Sequence, residues 1–213
     1  MTGKKKSNIV LIGMPAAGKS TVGVLLAKLL GYSFVDADLL IQEQTGKLLK
    51  EIIAEEGDDG FLRIEEEVNA GLDVTHSIIA PGGSVIYGAK AMAHLQEIGT
   101  IVYLKLTYED LEKRLGNLKD RGVVLKDGMT LKDLYEERRA YYERYAEVTI
   151  DETGKSFEIV TSKIIFVCVI PFTILKSCKE IGIEYSFERS AIISRHLLRS
   201  AFVSSSETEI GSI

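Results

Sequence analysis

Cysteine and histidine are scarce in this chain. Its 213 residues include two cysteines, Cys168 and Cys178, and three histidines, His76, His94 and His196. Two cysteines are too few for a disulfide scaffold, and neither residue type recurs at metal-ligand spacing. A stapled secreted module and a zinc site are therefore excluded, and a reducing, cytoplasmic compartment is expected. Long apolar runs are lacking too. The longest, Ile164 to Leu175, is 12 residues interrupted by Pro171, short of the roughly 18 that a membrane span requires. Lys4, Lys5 and Lys6 precede only the four apolar residues Ile9 to Ile12 before a glycine loop begins, so they read as a solvated tail and not as a secretory leader. Basic charge is not in excess: 26 Lys and Arg against 31 Asp and Glu leave a net charge of −5, which argues against a nucleic-acid partner.

What is present is an alternation of short apolar runs with helical patterns, lasting to about residue 155. The strand-like runs are Ile9–Ile12, Ser33–Val35, Ser77–Ala80, Thr100–Leu104 and Val148–Ile150. Between the first two, Val22, Leu25, Leu26 and Leu29 fall at helical spacing on one face, with Gly31 placed to end the helix. Thr130 with Asp133 resembles a capping box opening a long helix toward Ala146. This alternation predicts an α/β fold of three layers, with a central parallel sheet of five strands and ligands beyond the carboxyl ends of the strands. Residues 1–160 form the expected domain. Residues 161–213 read as an atypical tail, because the helical period fades beyond Ile165 and serine becomes frequent toward a disordered end. The chain is expected to be a monomer.

The strongest local signal is Gly13-Met14-Pro15-Ala16-Ala17-Gly18-Lys19-Ser20-Thr21, the pattern G-x-x-x-x-G-K-[ST] set between a strand and an amphipathic helix. Gly13 and Gly18 let the backbone turn tightly, so that N–H groups of the loop, including those of Ala16 and Ala17, converge on phosphate. The helix starting at Lys19 offers its positive end to the same group. Lys19 reaches the β- and γ-phosphates of ATP, and Ser20, followed by Thr21, is placed to ligate Mg2+. The motif makes nucleotide binding secure but does not separate a kinase from an ATPase, a GTPase or a binding module. The second strand-like run ends in Asp36 and Asp38, two carboxylates at i and i+2 that share a face of an extended strand. Asp36 could hold Mg2+ and Asp38 could orient an attacking hydroxyl; the alternative is a pair of solvated loop acids.

With these residues in place, the chain resembles the shikimate kinase family over roughly residues 7 to 160. The P-loop and the Asp36/Asp38 pair match, and the resemblance gives Asp36 to magnesium and Asp38 to the substrate hydroxyls. Glu56-Gly57, Phe61 and Glu65 look like the family's Gly-x-x-x-Phe-Arg-x-x-Glu segment, and Pro81-Gly82-Gly83 like the glycine run that lies against both substrates. Arg114 and Arg121 are similar to the pair at the family's lid, which the resemblance places near adenine and over the phosphates. Glu137-Arg138-Arg139-Ala140-Tyr141-Tyr142 resembles the helix whose arginine grips the substrate carboxylate, a role that falls on Arg138. From charge alone, Arg138 and Arg139 read as a solvated helix face.

Two positions depart from the family pattern. Leu62 stands where the family carries the arginine that helps Arg138 hold the carboxylate, and Gly122 replaces the proline after the lid arginine. Losing one partner of such a buried interaction costs about 2–5 kcal/mol. Arg63, Arg139 or Lys126 could substitute; otherwise the acceptor differs and Leu62 packs against something less charged. The expected reaction is ATP-dependent phosphorylation of shikimate, a small hydroxylated substrate. The alternatives are a related kinase acting on a sugar acid or hydroxy amino acid, and a non-catalytic nucleotide-binding module.

Overall fold

Each of the five apolar runs becomes a strand, extended at most one residue at either end. They are β1 (Asn8–Ile12), β2 (Ser33–Asp36), β3 (Ser77–Ala80), β4 (Gly99–Lys105) and β5 (Val148–Asp151). In this computed structural model, residues 6–115 and 129–169 are described. Among them the strands form one sheet in the order β2-β3-β1-β4-β5, with every pairing parallel. All residues of β1 and β3 are buried, as continuous apolar strands covered on both faces must be.

The chain leaves β1 toward β2 on one side and leaves β3 toward β4 on the other. The adjacent carboxyl ends of β1 and β3 therefore splay their following loops apart, and that crevice is where a ligand fits. The connecting helices are α1 (Lys19–Leu30), α2 (Ala37–Thr45), α3 (Leu49–Ala70), α4 (Ala89–Ile98), α5 (Tyr108–Leu115) and α6 (Leu131–Tyr145). A 3-10 turn over Val85–Tyr87 precedes α4.

The chain divides into two compact units, residues 1–157 and 158–213. The sheet and α1–α6 belong to the first. Of the second, residues 158–169 are described: they continue α7 (Phe157–Cys168), which buries Val160, Thr161, Ile164 and Ile165. This helix passes through residue 160 and beyond Ile165, where the sequence period fades. Residues 170–213 lie outside the described residues. Among those described, no helix is long and apolar enough to cross a membrane.

Side chains from one face of the sheet, among them Val10, Ile79, Ile101 and Tyr103, pack with Met92 and Leu95 of α4 and with Leu134 and Tyr142 of α6. The Tyr103 and Tyr142 rings stack with centroids 5.2 Å apart. On α1 the buried stripe is Val22, Gly23, Leu26 and Ala27, whereas Leu29 is 46% exposed. The helix is rolled relative to its apolar periodicity because Gly23 has no side chain: a methyl there would overlap the Phe34 ring of β2. Gly31 ends the helix in the left-handed region, at φ 68°.

Asn8 fastens the amino-terminal edge of the sheet. It is buried at 3% exposure; its Nδ2 donates to the Val74 and Ile98 carbonyls at 2.8 and 3.0 Å, and its Oδ1 accepts the Ser77 N–H at 3.0 Å. Asn8 thus ties β1 to the chain entering both neighbours. Replacing it leaves buried backbone groups unpaired, each at about 1–3 kcal/mol. Asn8→Leu is expected to lower unfolding free energy by about 2–4 kcal/mol in urea titration, with the denaturant slope unchanged.

Candidate active site

The loop after β1 takes the shape that its glycines allow. Gly13 has φ +152°, and a methyl there would stand 2.7 Å from the Leu104 carbonyl oxygen, so only glycine lets the loop pass β4 this closely. Gly18 (φ +81°) caps α1, and Ala16 (φ +64°) holds an uncommon left-handed conformation between them. The first-turn N–H groups of α1 have no carbonyl of their own helix to bond and form a cradle for an anion. Lys19 folds back over the loop, its Nζ donating to the Gly13 and Met14 carbonyls at 2.9 and 3.2 Å. Desolvation by the surrounding loop is the main cause that pulls its ammonium down to about 8, with Asp38, Glu65 and Asp36 opposing and Arg138 assisting.

Asp36 closes β2 and caps α2. Its Oδ1 accepts the Asp38 N–H at 3.1 Å, and its Oδ2 accepts the Ser20 hydroxyl at 3.0 Å. The two aspartates are therefore not on one strand face as their spacing suggests. Asp36 is an N-cap and Asp38 lies in the first helical turn, because an aspartate at a strand end satisfies the free N–H groups of the next helix. The turn separates their tasks. Asp36 and Ser20 form a hard-oxygen pair that suits Mg2+ completed by phosphate oxygens and water. Among the described residues, no three His, Cys, Asp or Glu side chains converge as a metal cage. Asp38 faces the cavity, its carboxyl pushed up by burial and then by the Asp36 charge, with Lys19 opposing.

A cavity of about 430 Å³ joins these groups. Its phosphate end is lined by Ala16, Gly18, Lys19, Ser20 and Thr21, and its other end by Asp36, Asp38, Leu62, Gly82, Gly83 and Arg138. Gly13 and the buried Ala17 shape the loop from beneath and do not line the cavity. Gly82 and Gly83 allow close approach: a methyl on Gly82 would overlap Glu65 Oε1 and stand 3.0 Å from Asp38 Oδ1, and one on Gly83 would stand 3.2 Å from Arg138 Nη1.

Arg138 is placed by α6, whose capping box closes with Thr130 Oγ1 accepting the Asp133 N–H at 3.2 Å and Asp133 Oδ2 accepting the Thr130 N–H at 2.9 Å. The helix buries Leu134, Tyr135, Arg138 and Tyr142, and the Tyr142 hydroxyl donates to the Gly83 carbonyl at 2.6 Å. Arg138 is 6% exposed, with its guanidinium carbon 5.6 Å from the Tyr87 ring centroid. It is no solvated helix face. Its neighbour Arg139 is only half-buried, paired at 2.8 Å with Glu136 and lying over the Tyr135 ring.

Leu62 contributes an apolar wall at the point where the resemblance would have an arginine. The exposed Arg63 and the half-buried Arg139 do not line the cavity, and Lys126 lies outside the described residues, as do Arg121, Gly122 and Gly128. Among the described residues, the cations lining the cavity are Lys19 and Arg138. Arg114 sits beside the P-loop, its Nη1 3.4 Å from the Ala16 carbonyl oxygen and 3.1 Å from Glu152 Oε2. Sequence reasoning missed Glu152, a buried carboxyl pushed up to about 7 by desolvation, with Arg114 and Lys19 opposing. It also treated Glu65 as part of a motif and not as a site residue; three positions after Leu62 on a helix, it was bound to share the cavity face.

The arrangement provides an anion cradle with a lysine, a hard-cation pair, a carboxylate facing a hydroxyl position, and a buried guanidinium beyond it. Residues 15–168 match the family model described as shikimate kinase. The shikimate kinase of Thiobacillus denitrificans is 36% identical over 155 residues, spanning 71% of this chain and 85% of that protein. That of Persephonella marina is 34% identical, over 72% of this chain and 94% of its own length. Among solved structures, shikimate kinase from Acinetobacter baumannii in complex with shikimate aligns with a TM-score of 0.70 at 31% identity, covering 81% of this chain and 95% of that one. The Aquifex aeolicus shikimate kinase aligns at 0.66 with 30% identity, over 75% and 94%. By fold, by site and by these likenesses, the chain belongs to the shikimate kinase family.

Proposed function

We propose that this protein transfers the γ-phosphoryl group of ATP to shikimate, yielding ADP and shikimate 3-phosphate. One observation carries the reading. Asp38 and Arg138 converge across Gly82 and Gly83 on a single cavity whose far end is the Lys19–Ser20 P-loop. Asp38 orients the acceptor hydroxyl and accepts its hydrogen bond as the new P–O bond forms and the bond to ADP breaks. Arg138 holds the acceptor's carboxylate at the distance that points the hydroxyl toward the phosphates. Lys19 answers the charge on the transferred group, and Mg2+, held by Ser20 and Asp36, supplies charge neutralisation when bound. Arg114, fixed by Glu152 beside Ala16, and Arg121 take the adenine and phosphate positions that the family likeness assigns them. A monomeric, cytoplasmic enzyme belongs to the same reading; two cysteines and a net charge of −5 support a reducing compartment and no nucleic-acid partner.

Leu62 favours a second reading, in which the same kinase machinery acts on another small hydroxylated metabolite such as a sugar acid or hydroxy amino acid. A coupled ADP-release assay with Mg·ATP decides between them. Turnover of shikimate is expected, with Asp38→Asn lowering kcat by about 10²–10⁴-fold. Turnover of a different hydroxy acid with none of shikimate would leave only the second reading standing. Leu62→Arg is expected to lower the shikimate KM by about 30-fold or more while leaving the KM for ATP unchanged. Gly82→Ala, which drives a methyl against Glu65 and Asp38, should raise the acceptor KM steeply and spare nucleotide binding, measured by titration with an ATP analogue.

A further inference from the structure

We propose that Glu65 binds the carboxylate of the acceptor as a neutral carboxylic acid, donating a hydrogen bond beside Arg138 on a face where Leu62 offers no cation. The inference rests on the shikimate reading above, since it requires an acceptor that carries a carboxylate.

The geometry comes first. Leu62 and Glu65 stand one turn apart on α3 and both line the cavity, as does Arg138 of α6. Glu65 is 1% exposed and Arg138 is 6% exposed. Among the described residues, Glu65 Oε1 and Arg138 Nε have no hydrogen-bond partner. Two buried, unpartnered polar atoms on one cavity describe a ligand group that meets both. A guanidinium N–H can only donate, so an oxygen anion answers it. The same anion can be shared with Glu65 only if that carboxyl carries a proton, since two carboxylates in contact cannot both remain charged.

The groups facing Glu65 bear this out. Burial is the largest influence and favours the neutral form. Asp38 of α2 adds to it; the Ser84 hydroxyl after β3, Arg138 of α6 and Lys19 of α1 oppose it. Tyr142, also on α6, is held protonated by burial first, with a smaller contribution from the Glu65 charge. Burial prevails and carries Glu65 up to about 7. An acceptor carboxylate placed beside it adds a second negative charge and raises it further, so binding above pH 7 draws a proton from solvent onto Glu65. An ionised Glu65, by contrast, would repel the acceptor's anion and compete with it for Arg138.

The sign of the pH dependence follows. Acceptor KM is expected to be low and level while Glu65 is neutral, and to rise with pH through and above about 7, approaching about tenfold per pH unit. The measurement is acceptor KM and kcat from pH 5.5 to 8.5 at saturating Mg·ATP, where bound phosphate keeps Lys19 charged. Calorimetry of shikimate binding at pH 8, in two buffers of different ionisation enthalpy, reads proton uptake directly. Wild type should take up a proton and show the rise in KM without a matching change in kcat. Glu65→Gln donates a hydrogen bond but cannot ionise, and should keep a low KM across the range with no proton uptake. Leu62→Arg should flatten the profile as well, because its guanidinium holds Glu65 ionised while binding the acceptor. A wild-type KM that is level or falls with rising pH, or a Glu65→Gln enzyme that loses shikimate at every pH, would overturn the proposal while leaving the kinase reading intact. Absence of shikimate turnover even at pH 5.5 would overturn both.

Discussion

Charge withdrawn from water must be answered by other charge or by hydrogen bonds, and this chain concentrates that obligation in one cavity. Lys19, Asp36, Asp38, Glu65 and Arg138 each act on the ionisation of at least one other member of the set. They come from α1, β2, α2, α3 and α6, so the balance exists only once the sheet has brought those elements together. A substrate that adds phosphate at one end and a carboxylate at the other completes a set of partners already half in place. This is electrostatic preorganisation: the groups that must meet developing charge are fixed before the reaction begins.

Two kinds of backbone permission make the convergence possible. At the P-loop, Gly13 allows the chain to skim the Leu104 carbonyl. After β3, Gly82 and Gly83 leave room for Glu65, Asp38 and Arg138 to close on one space. Both loops leave the adjacent carboxyl ends of β1 and β3, the point where the winding of the sheet reverses. Fold and site are thus one geometrical fact. Fixing the strand order fixes which loops face each other, and the small residues in those loops fix how near the side chains come.

What the sequence made legible was the part governed by short-range rules. The central strands β1, β3 and β4 were readable because buried parallel strands are nearly continuous apolar runs, the edge strands β2 and β5 from short runs of aromatic and β-branched residues, and α6 because Thr130 and Asp133 are local capping chemistry. The P-loop was readable because its spacing is tied to a backbone shape. The exposed Leu29 was missed because periodicity ranks residues by polarity and cannot weigh an absent side chain such as that of Gly23 against a ring on β2. Asp36 and Asp38 were found as a pair but given the wrong local frame, since the helix start between them depends on a side-chain bond that spacing does not reveal. Arg138 could not be told from Arg139 by charge; only packing on α6 buries the first in the cavity wall and leaves the second half-buried outside it. Glu152 was invisible because its partner, Arg114, lies 38 residues away.

Asn8 makes its three bonds at the amino-terminal edge of the sheet, while the cavity opens at the opposite edge. Fastening and chemistry are therefore assigned to different ends of the same strands. A lineage carrying this fold can exchange residues around the cavity, as leucine at position 62 illustrates, without reopening the question of how its strands find one another. Selection on what the enzyme accepts and selection on whether it folds can then proceed largely as separate histories written on one scaffold.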